Sequence, residues 1–255
     1  MKADTILFLS ILGLAFLIPK LVHGQAIPNG GNYLAASDVQ VEKIIAPPPG
    51  NYSTQTANEI KAILQMQKQK TVVQVAAVRE QDTLTPYLIC GTSLPLINAQ
   101  SPRAIDLLLK VGGDVKMIAE QGKEIWDRPR PARLDKRIEK LVDMPPDSSY
   151  PGTNSTVIYT WAAVLSELVP EKKDVILAKA DEIAQNRVLA GAQYPSDIAA
   201  AKTLGEAIAK KLLDQSSFQQ EFQGVRQELA ARMAAQNAAG VPPLETVAPM
   251  AAAAP

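Results

Sequence analysis

The chain has 255 residues, 47% of them hydrophobic and 20% charged, which is enough apolar material for one domain of ordinary size. Its 26 basic and 26 acidic residues cancel, which argues against a polyanion-binding surface, a nucleic-acid partner or a basic membrane patch. The single cysteine, Cys90, has no partner for an intramolecular disulfide, so stability must come from the core.

Residues 1–24 read as a signal peptide. Lys2 precedes an apolar run from Ile6 to Ile18 and a small-residue stretch, Val22 to Ala26, with cleavage expected near Gly24 or Ala26. The run is short for a membrane span, and an uncleaved anchor is the alternative. Both readings place the folded part outside the cytoplasm, periplasmic or secreted. Cleavage would also remove His23, the only histidine, and with it the commonest acid–base side chain near neutral pH.

Residues 25–52 are expected to be an extended N-terminal segment containing the turn Pro28 to Gly31 and the rigid Pro47-Pro48-Pro49. Ser53 or Thr54 then caps a helix carrying Ile60, Ile63 and Leu64 on one face. Further helices are predicted over Val72 to Glu80, Arg103 to Val111, Asp114 to Trp126 and Leu134 to Val142. Cys90, in the apolar segment Tyr87 to Cys90, reads as a buried small hydrophobe. Asn154 to Val169 is apolar enough to be a central helix, and Pro170 opens another that ends at Gly191. Two more follow, Pro195 to Leu213 and Phe218 to Met233. The domain spans residues 53–233 and is all-α. From Ala234 to Pro255 the chain is Ala- and Pro-rich with almost no charge, and reads as a disordered tail.

Three segments carry chemistry. In Lys123-Glu-Ile-Trp-Asp-Arg-Pro-Arg130-Pro131, a lysine precedes an arginine by seven positions, although basic residues also suit a helix C-terminus for its own sake. Ser148 to Asn154 forms a turn before the central helix, where the backbone N–H groups of Gly152 and Thr153 would face an anion. The third segment runs from Asn186 and Arg187 through Gly191 and Gln193 to Asp197.

Together these segments resemble the signature of the phosphatidic-acid-phosphatase type 2 superfamily, and specifically the bacterial class A non-specific acid phosphatases. That signature is Lys-x6-Arg-Pro, then Pro-Ser-Gly-His, then Ser-Arg-x5-His-x3-Asp. Similarity extends to Ile44–Pro49, Gln65–Lys70, Trp126–Pro131, Ser149–Pro151 and Phe218–Gln220, covering the chain from about Asn32 to Met233. The resemblance implies an all-helical, periplasmic, metal-independent domain without cofactor, often a homo-oligomer, with acid phosphatase activity.

Carried over residue by residue, the resemblance makes Lys123, Arg130 and Arg187 a clamp for phosphate oxygens, suited to bidentate binding and to the charge of a phosphoryl group. The reactive groups differ. Gly152 and Thr153 stand where the signature has serine and glycine, and Asn154 stands where it has the histidine that protonates the leaving group. Asn186 replaces serine, and Gln193 takes the place of the histidine that attacks phosphorus. Asp197, the residue that orients that histidine, is kept and is expected to hold the Gln193 amide instead.

An amide has neither a titratable proton near neutral pH nor a nucleophilic lone pair. Loss of a general acid costs about 10²–10⁴ in rate, and loss of the nucleophile removes the covalent route. Asp197, Asp127, Tyr150 and Tyr194 lie near enough in sequence to be weighed as substitutes. No carboxylate cluster for Mg²⁺ accompanies them, and the two tyrosines are expected at the rim. Three readings follow. The chain is a pseudophosphatase that binds phosphate, a phosphomonoester or another small oxyanion, or a weak acid phosphatase with an altered mechanism, or an interaction or structural module whose pocket is vestigial.

Overall fold

The computed structural model describes residues 29–94, 97, 98 and 100–238. The expected signal peptide therefore lies outside the described residues, as does the tail from residue 239 onward. Helices and loops make up all of the described residues, with no strand among them.

In chain order the helices are α1 (Val41–Ile44), α2 (Thr54–Gln69), α3 (Val72–Glu80), α4 (Tyr87–Ser93), α5 (Pro102–Trp126), α6 (Pro131–Leu134), α7 (Thr153–Leu168), α8 (Lys173–Leu189), α9 (Pro195–Leu213) and α10 (Ser216–Ala238). Short 3-10 turns stand at Ala36–Asp38 and Pro170–Lys172. Local chemistry starts several of them. The Ser53 hydroxyl accepts from the Thr56 N–H at 3.1 Å. Thr71 and Gln74 exchange side-chain to backbone bonds at 3.2 and 2.9 Å, the reciprocal cap that satisfies two otherwise orphaned donors. Proline occupies the first turn of α5, α6 and α9, where a missing N–H costs nothing.

Helix α7 is the centre of the molecule, packed against α5, α8 and α9. Eleven of its 16 residues are buried, among them Trp161, whose indole N–H donates to the Leu108 carbonyl at 2.6 Å. The approach of α9 depends on Gly205: a Cβ there would lie 2.9 Å from the Thr156 carbonyl oxygen. Because α7 begins at Thr153 and α9 begins at Pro195, this tight packing brings the second and third motif segments to the same end of the bundle.

The structure departs from the sequence reading at five places. The two helices predicted over Arg103 to Val111 and Asp114 to Trp126 are one, because Gly112 and Gly113 stay helical and buried inside α5. The fully buried Asp114 carboxylate takes the backbone N–H groups of Asn32, Tyr33 and Leu34 at 2.8, 2.8 and 3.0 Å, anchoring the N-terminal segment along α5. That segment, expected to be extended through residue 52, contains the turn at Ala36–Asp38 and α1.

The helix predicted over Leu134 to Val142 does not form. Gln67 takes both backbone groups of Glu139, donating to its carbonyl at 2.8 Å and accepting from its N–H at 2.9 Å, so neither enters a helical ladder. Ile138 instead packs on Gly191, whose φ of 73° and lack of a side chain permit a contact that a Cβ would bring to 2.6 Å. Helix α4 forms where only an apolar segment was read. Its Cys90 is fully buried, and burial pushes the thiol up to about 12, which makes it an inert core residue. Helix α10 continues past Met233 to Ala238, so the first residues assigned to the tail are helical.

Candidate functional site

Lys123 lies in the last turn of α5, and Arg130 is the residue before α6. Between them Asp127 takes a left-handed conformation, φ 37°, which ends α5 and turns the chain. The result brings the two cations onto one carboxylate. The Lys123 ammonium donates to Asp147 Oδ2 and lies 2.9 Å from Glu120 Oε1, while the Arg130 guanidinium donates to Asp147 Oδ1 at 2.5 Å. Arg130 also donates to the Ala192 carbonyl at 3.1 Å, which ties the clamp to the loop between α8 and α9. Both cations are buried, and Asp147 is the outer member with 32% of its side chain exposed.

Burial alone would raise the Asp147 carboxyl, but hydrogen bonds from Lys123 and Arg130 outweigh it and hold the group below its ordinary value. A lowered carboxyl contributes stability above its unfolded value of 3.8 and loses it as pH falls through the folded value. Asp147→Asn is therefore expected to melt below the wild type at pH 7, with the gap closing as the pH drops below about 4. Thermal melts of both proteins from neutral to acid pH check this; a gap independent of pH would show that the ion pairs are not its cause.

Arg187, in the last turn of α8, is buried but does not join this carboxylate. Its guanidinium pairs with Asp82 at 2.8 Å, beyond the end of α3. Its backbone carbonyl accepts the N–H groups of Ala192 and Gln193 at 3.1 and 3.2 Å, so the residue shapes the loop that Arg130 grips. The structure thus brings Lys123 and Arg130 together and sends the Arg187 side chain to a different partner.

Gln193 is buried, and its Oε1 accepts the Ser155 hydroxyl at 2.6 Å, so the amide lies against the first turn of α7. Gly152 is the residue capping that helix. A Cβ built on it would stand 2.3 Å from Gln193 Nε2 and 2.5 Å from its Cδ, so any side chain at 152 requires the Gln193 amide to move. Asn154 is half-buried on the same turn, and the Thr153 hydroxyl is 3.4 Å from Glu120 Oε1. Asn186, the residue before Arg187 on α8, donates to the Gln81 side chain at 2.8 Å, at the end of α3.

Asp197 was expected to hold the Gln193 amide, and the structure corrects this. Its Oδ1 accepts from Arg128 at 2.5 Å and its Oδ2 from the Tyr194 N–H at 2.7 Å, opening α9. A buried guanidinium is a stronger partner for a carboxylate than a neutral amide is. Arg128, 1% exposed, reaches on to Glu59 at 2.9 Å and Ser196 at 2.8 Å, with its guanidinium 3.8 Å from the centre of the Tyr194 ring. Burial raises Asp197 to about 6, with Arg128 and the Tyr194 N–H pulling against it.

The two tyrosines expected at the rim are also interior residues. Tyr194 has no exposed surface, and Tyr150 is 3% exposed with its hydroxyl donating to the Ala46 carbonyl and its ring edge-on to Trp126. Burial raises Tyr150 to about 12. Asp127 lies outside this constellation, at the helix end it terminates. Among the described residues no group of three or more His, Cys, Asp or Glu side chains is placed to hold a metal ion, and no helix is long and apolar enough to cross a membrane.

Asp147, Arg128, Glu59 and Asp82 were not singled out from sequence. Arg128 stood inside the first motif and Asp147 one residue before the second. The usable signal was charge: the four cations that the fold buries, Lys123, Arg128, Arg130 and Arg187, require carboxylate partners.

Chemically, Lys123 and Arg130 form a site that already binds a two-oxygen anion, at the end of the bundle where the first turn of α7 and the α8–α9 loop meet. The segments that carry this site lie within a stretch that is similar to known proteins. Residues 107–220 match the PAP2 superfamily. The chain is 33% identical to a non-specific acid phosphatase of Providencia stuartii over 144 residues, 53% of this chain and 57% of that protein. It is 26% identical to a non-specific acid phosphatase of Salmonella typhi over 230 residues, 85% of this chain and 91% of that one. An acid phosphatase of Zymomonas mobilis is 24% identical over 195 residues, 72% and 74% of the two chains. In the order of its motif segments, its helical architecture and these matches, the chain is similar to bacterial non-specific acid phosphatases, with the PAP2 superfamily match confined to residues 107–220.

Proposed function

We propose that the protein acts outside the cytoplasm as an acid-phosphatase-like binding protein, holding phosphate, a phosphomonoester or another small oxyanion without turning it over. The observation that carries the reading is Gln193. At the position where the resembled signature has its nucleophilic histidine, a buried amide is fixed by Ser155 and packed against Gly152. Asn154 supplies no acid in the place of the second histidine. Lys123 and Arg130 remain as the anion-binding pair, with the backbone at Gly152 and Thr153 opening α7 beside them.

Arg187 contributes by holding the α8–α9 loop, and Asp197 by holding Arg128. Asp197 as a replacement nucleophile is disfavoured by its complete burial against Arg128. A location outside the cytoplasm rests on the apolar run before Gly24 and on the family resemblance.

The internal pairing of all three cations favours a second reading, a structural or interaction module with a vestigial pocket. The two readings differ in whether phosphate binds. The family activity is tested by hydrolysis of a chromogenic aryl phosphate from about pH 4 to 8, the range of carboxylate and histidine titration. The expected result is no turnover above an Arg130→Ala control. Turnover that survives purification and disappears in Arg130→Ala and Arg187→Ala would overturn the binding-only reading and establish a weak acid phosphatase.

A further inference from the structure

We infer that Asp147 determines the specificity of the Lys123–Arg130 clamp: it is a tethered carboxylate in the anion position, so a ligand enters only by displacing it, and multiply charged oxyanions are selected over monoanions. The inference rests on reading Lys123 and Arg130 as an anion site.

The geometry is that of a bound ligand. One oxygen of Asp147 goes to each cation, Oδ2 to the Lys123 ammonium and Oδ1 to the Arg130 guanidinium, the bridging arrangement an oxyanion takes between two donors. The cations are nine-tenths buried, whereas the carboxylate closes the clamp from the solvent side with a third of its side chain exposed. A rotation of the Asp147 side chain toward water is therefore enough to open the site, and the released carboxylate recovers hydration that the cations cannot reach.

The backbone on both sides of Asp147 is pinned, so the carboxylate is delivered to the clamp by design of the loop. Arg133 donates to the Pro146 carbonyl at 2.7 Å. On the other side the Ser149 N–H donates to the Arg128 carbonyl at 2.8 Å, and the Arg128 N–H donates to the Ser148 hydroxyl at 2.9 Å. These bonds hold the segment without using the carboxylate.

Occupation by a carboxylate is incomplete. Both Asp147 oxygens are engaged, yet the buried Nε of Arg130 has no acceptor. A tetrahedral phosphate brings two further oxygens and a second negative charge, and so gains contacts that Asp147 cannot make. A monoanionic carboxylate such as acetate brings only what Asp147 already provides. It must compete with a tethered group whose effective concentration is at least in the millimolar range.

The test is calorimetric titration of the purified full-length protein with inorganic phosphate and, separately, acetate at pH 7.5, for wild type, Asp147→Asn and Arg130→Ala. Phosphate should bind Asp147→Asn at least about tenfold more tightly than wild type, which corresponds to a clamp open about one-tenth of the time in the wild type. Acetate should bind measurably only to Asp147→Asn, and Arg130→Ala should lose phosphate binding. Asp147→Ser removes the carboxylate by truncation and must reproduce the gain, which keeps the test decisive if the asparagine disturbs the loop. Equal phosphate affinity in wild type and both Asp147 variants, with loss in Arg130→Ala, would overturn the role of Asp147 and leave the anion site standing. No phosphate binding to wild type or to either Asp147 variant would overturn the anion site as well.

Discussion

Arg128→Ala is expected to destabilise the protein by about 3–5 kcal/mol, the usual cost of breaking a buried ion pair by removing one partner. For a chain of this size that is a fall of roughly 6–20 °C in melting temperature, at about 2–4 °C per kcal/mol. Arg128 is almost fully buried and joins three parts of the chain: Glu59 on α2, the segment that follows α5, and Asp197 and Ser196 at the start of α9. Its loss leaves the Asp197 carboxylate without its cation and removes the guanidinium from the face of Tyr194.

The effect should depend on pH with a defined sign. The folded Asp197 carboxyl is raised to about 6 from 3.8, chiefly by burial. Its contribution to stability is full below the unfolded value and is lost as pH rises through about 6. Without Arg128 the folded value rises further, because the cation was lowering it. The Arg128→Ala deficit should thus be larger at pH 7.5 than at pH 5, where the stranded carboxyl takes a proton. Thermal melts at the two pH values check both parts. A shift under about 2 °C at pH 7.5 would mean that packing around the site does not need the ion pair.

Gly152→Ser is expected to cost about 1–3 kcal/mol, the range for inserting atoms into a packed site. The reason is steric. The φ of Gly152 is −69°, which any residue adopts, but its Cβ would overlap the Gln193 amide at 2.3 to 2.8 Å. Replacing Gln193 by alanine removes the obstructing amide, so Gly152→Ser should be far better tolerated in the Gln193→Ala background. Denaturant unfolding of the four proteins forming this cycle gives the coupling, expected on the order of 1–2 kcal/mol. Simple additivity would show that the site relaxes around a serine without moving Gln193. The pair also links the two positions that depart from the resembled signature: a serine at 152 would require the Gln193 amide to leave the place it occupies here.

Lys123, Arg130, Arg187, Gln193 and Asp197 sit at or beside helix ends, and helix ends have local signals that the sequence shows. Pro131 and Pro195 at first turns, and Gly191 after α8, locate the loops that carry them. The same signals misled over Leu134 to Val142, where the apolar spacing suits a helix but Gln67, from 72 residues earlier, captures the backbone of Glu139. They misled again at Gly112 and Gly113, which look like a break and are helical inside a buried α5.

By itself, the sequence determined the all-α class, the buried character of α7, most helix starts, and the set of cations and amides available for chemistry. Each of these follows from residues within a turn or two of one another. Only the tertiary structure decided which charge meets which. Arg187 pairs with Asp82 across 105 residues and Arg128 with Glu59 across 69, while Asp197 turns from Gln193 to Arg128. Ion pairs between distant segments leave no periodic trace in the chain. They are selected when burial strips water from the charges and leaves each cation only the carboxylates that packing has brought within reach.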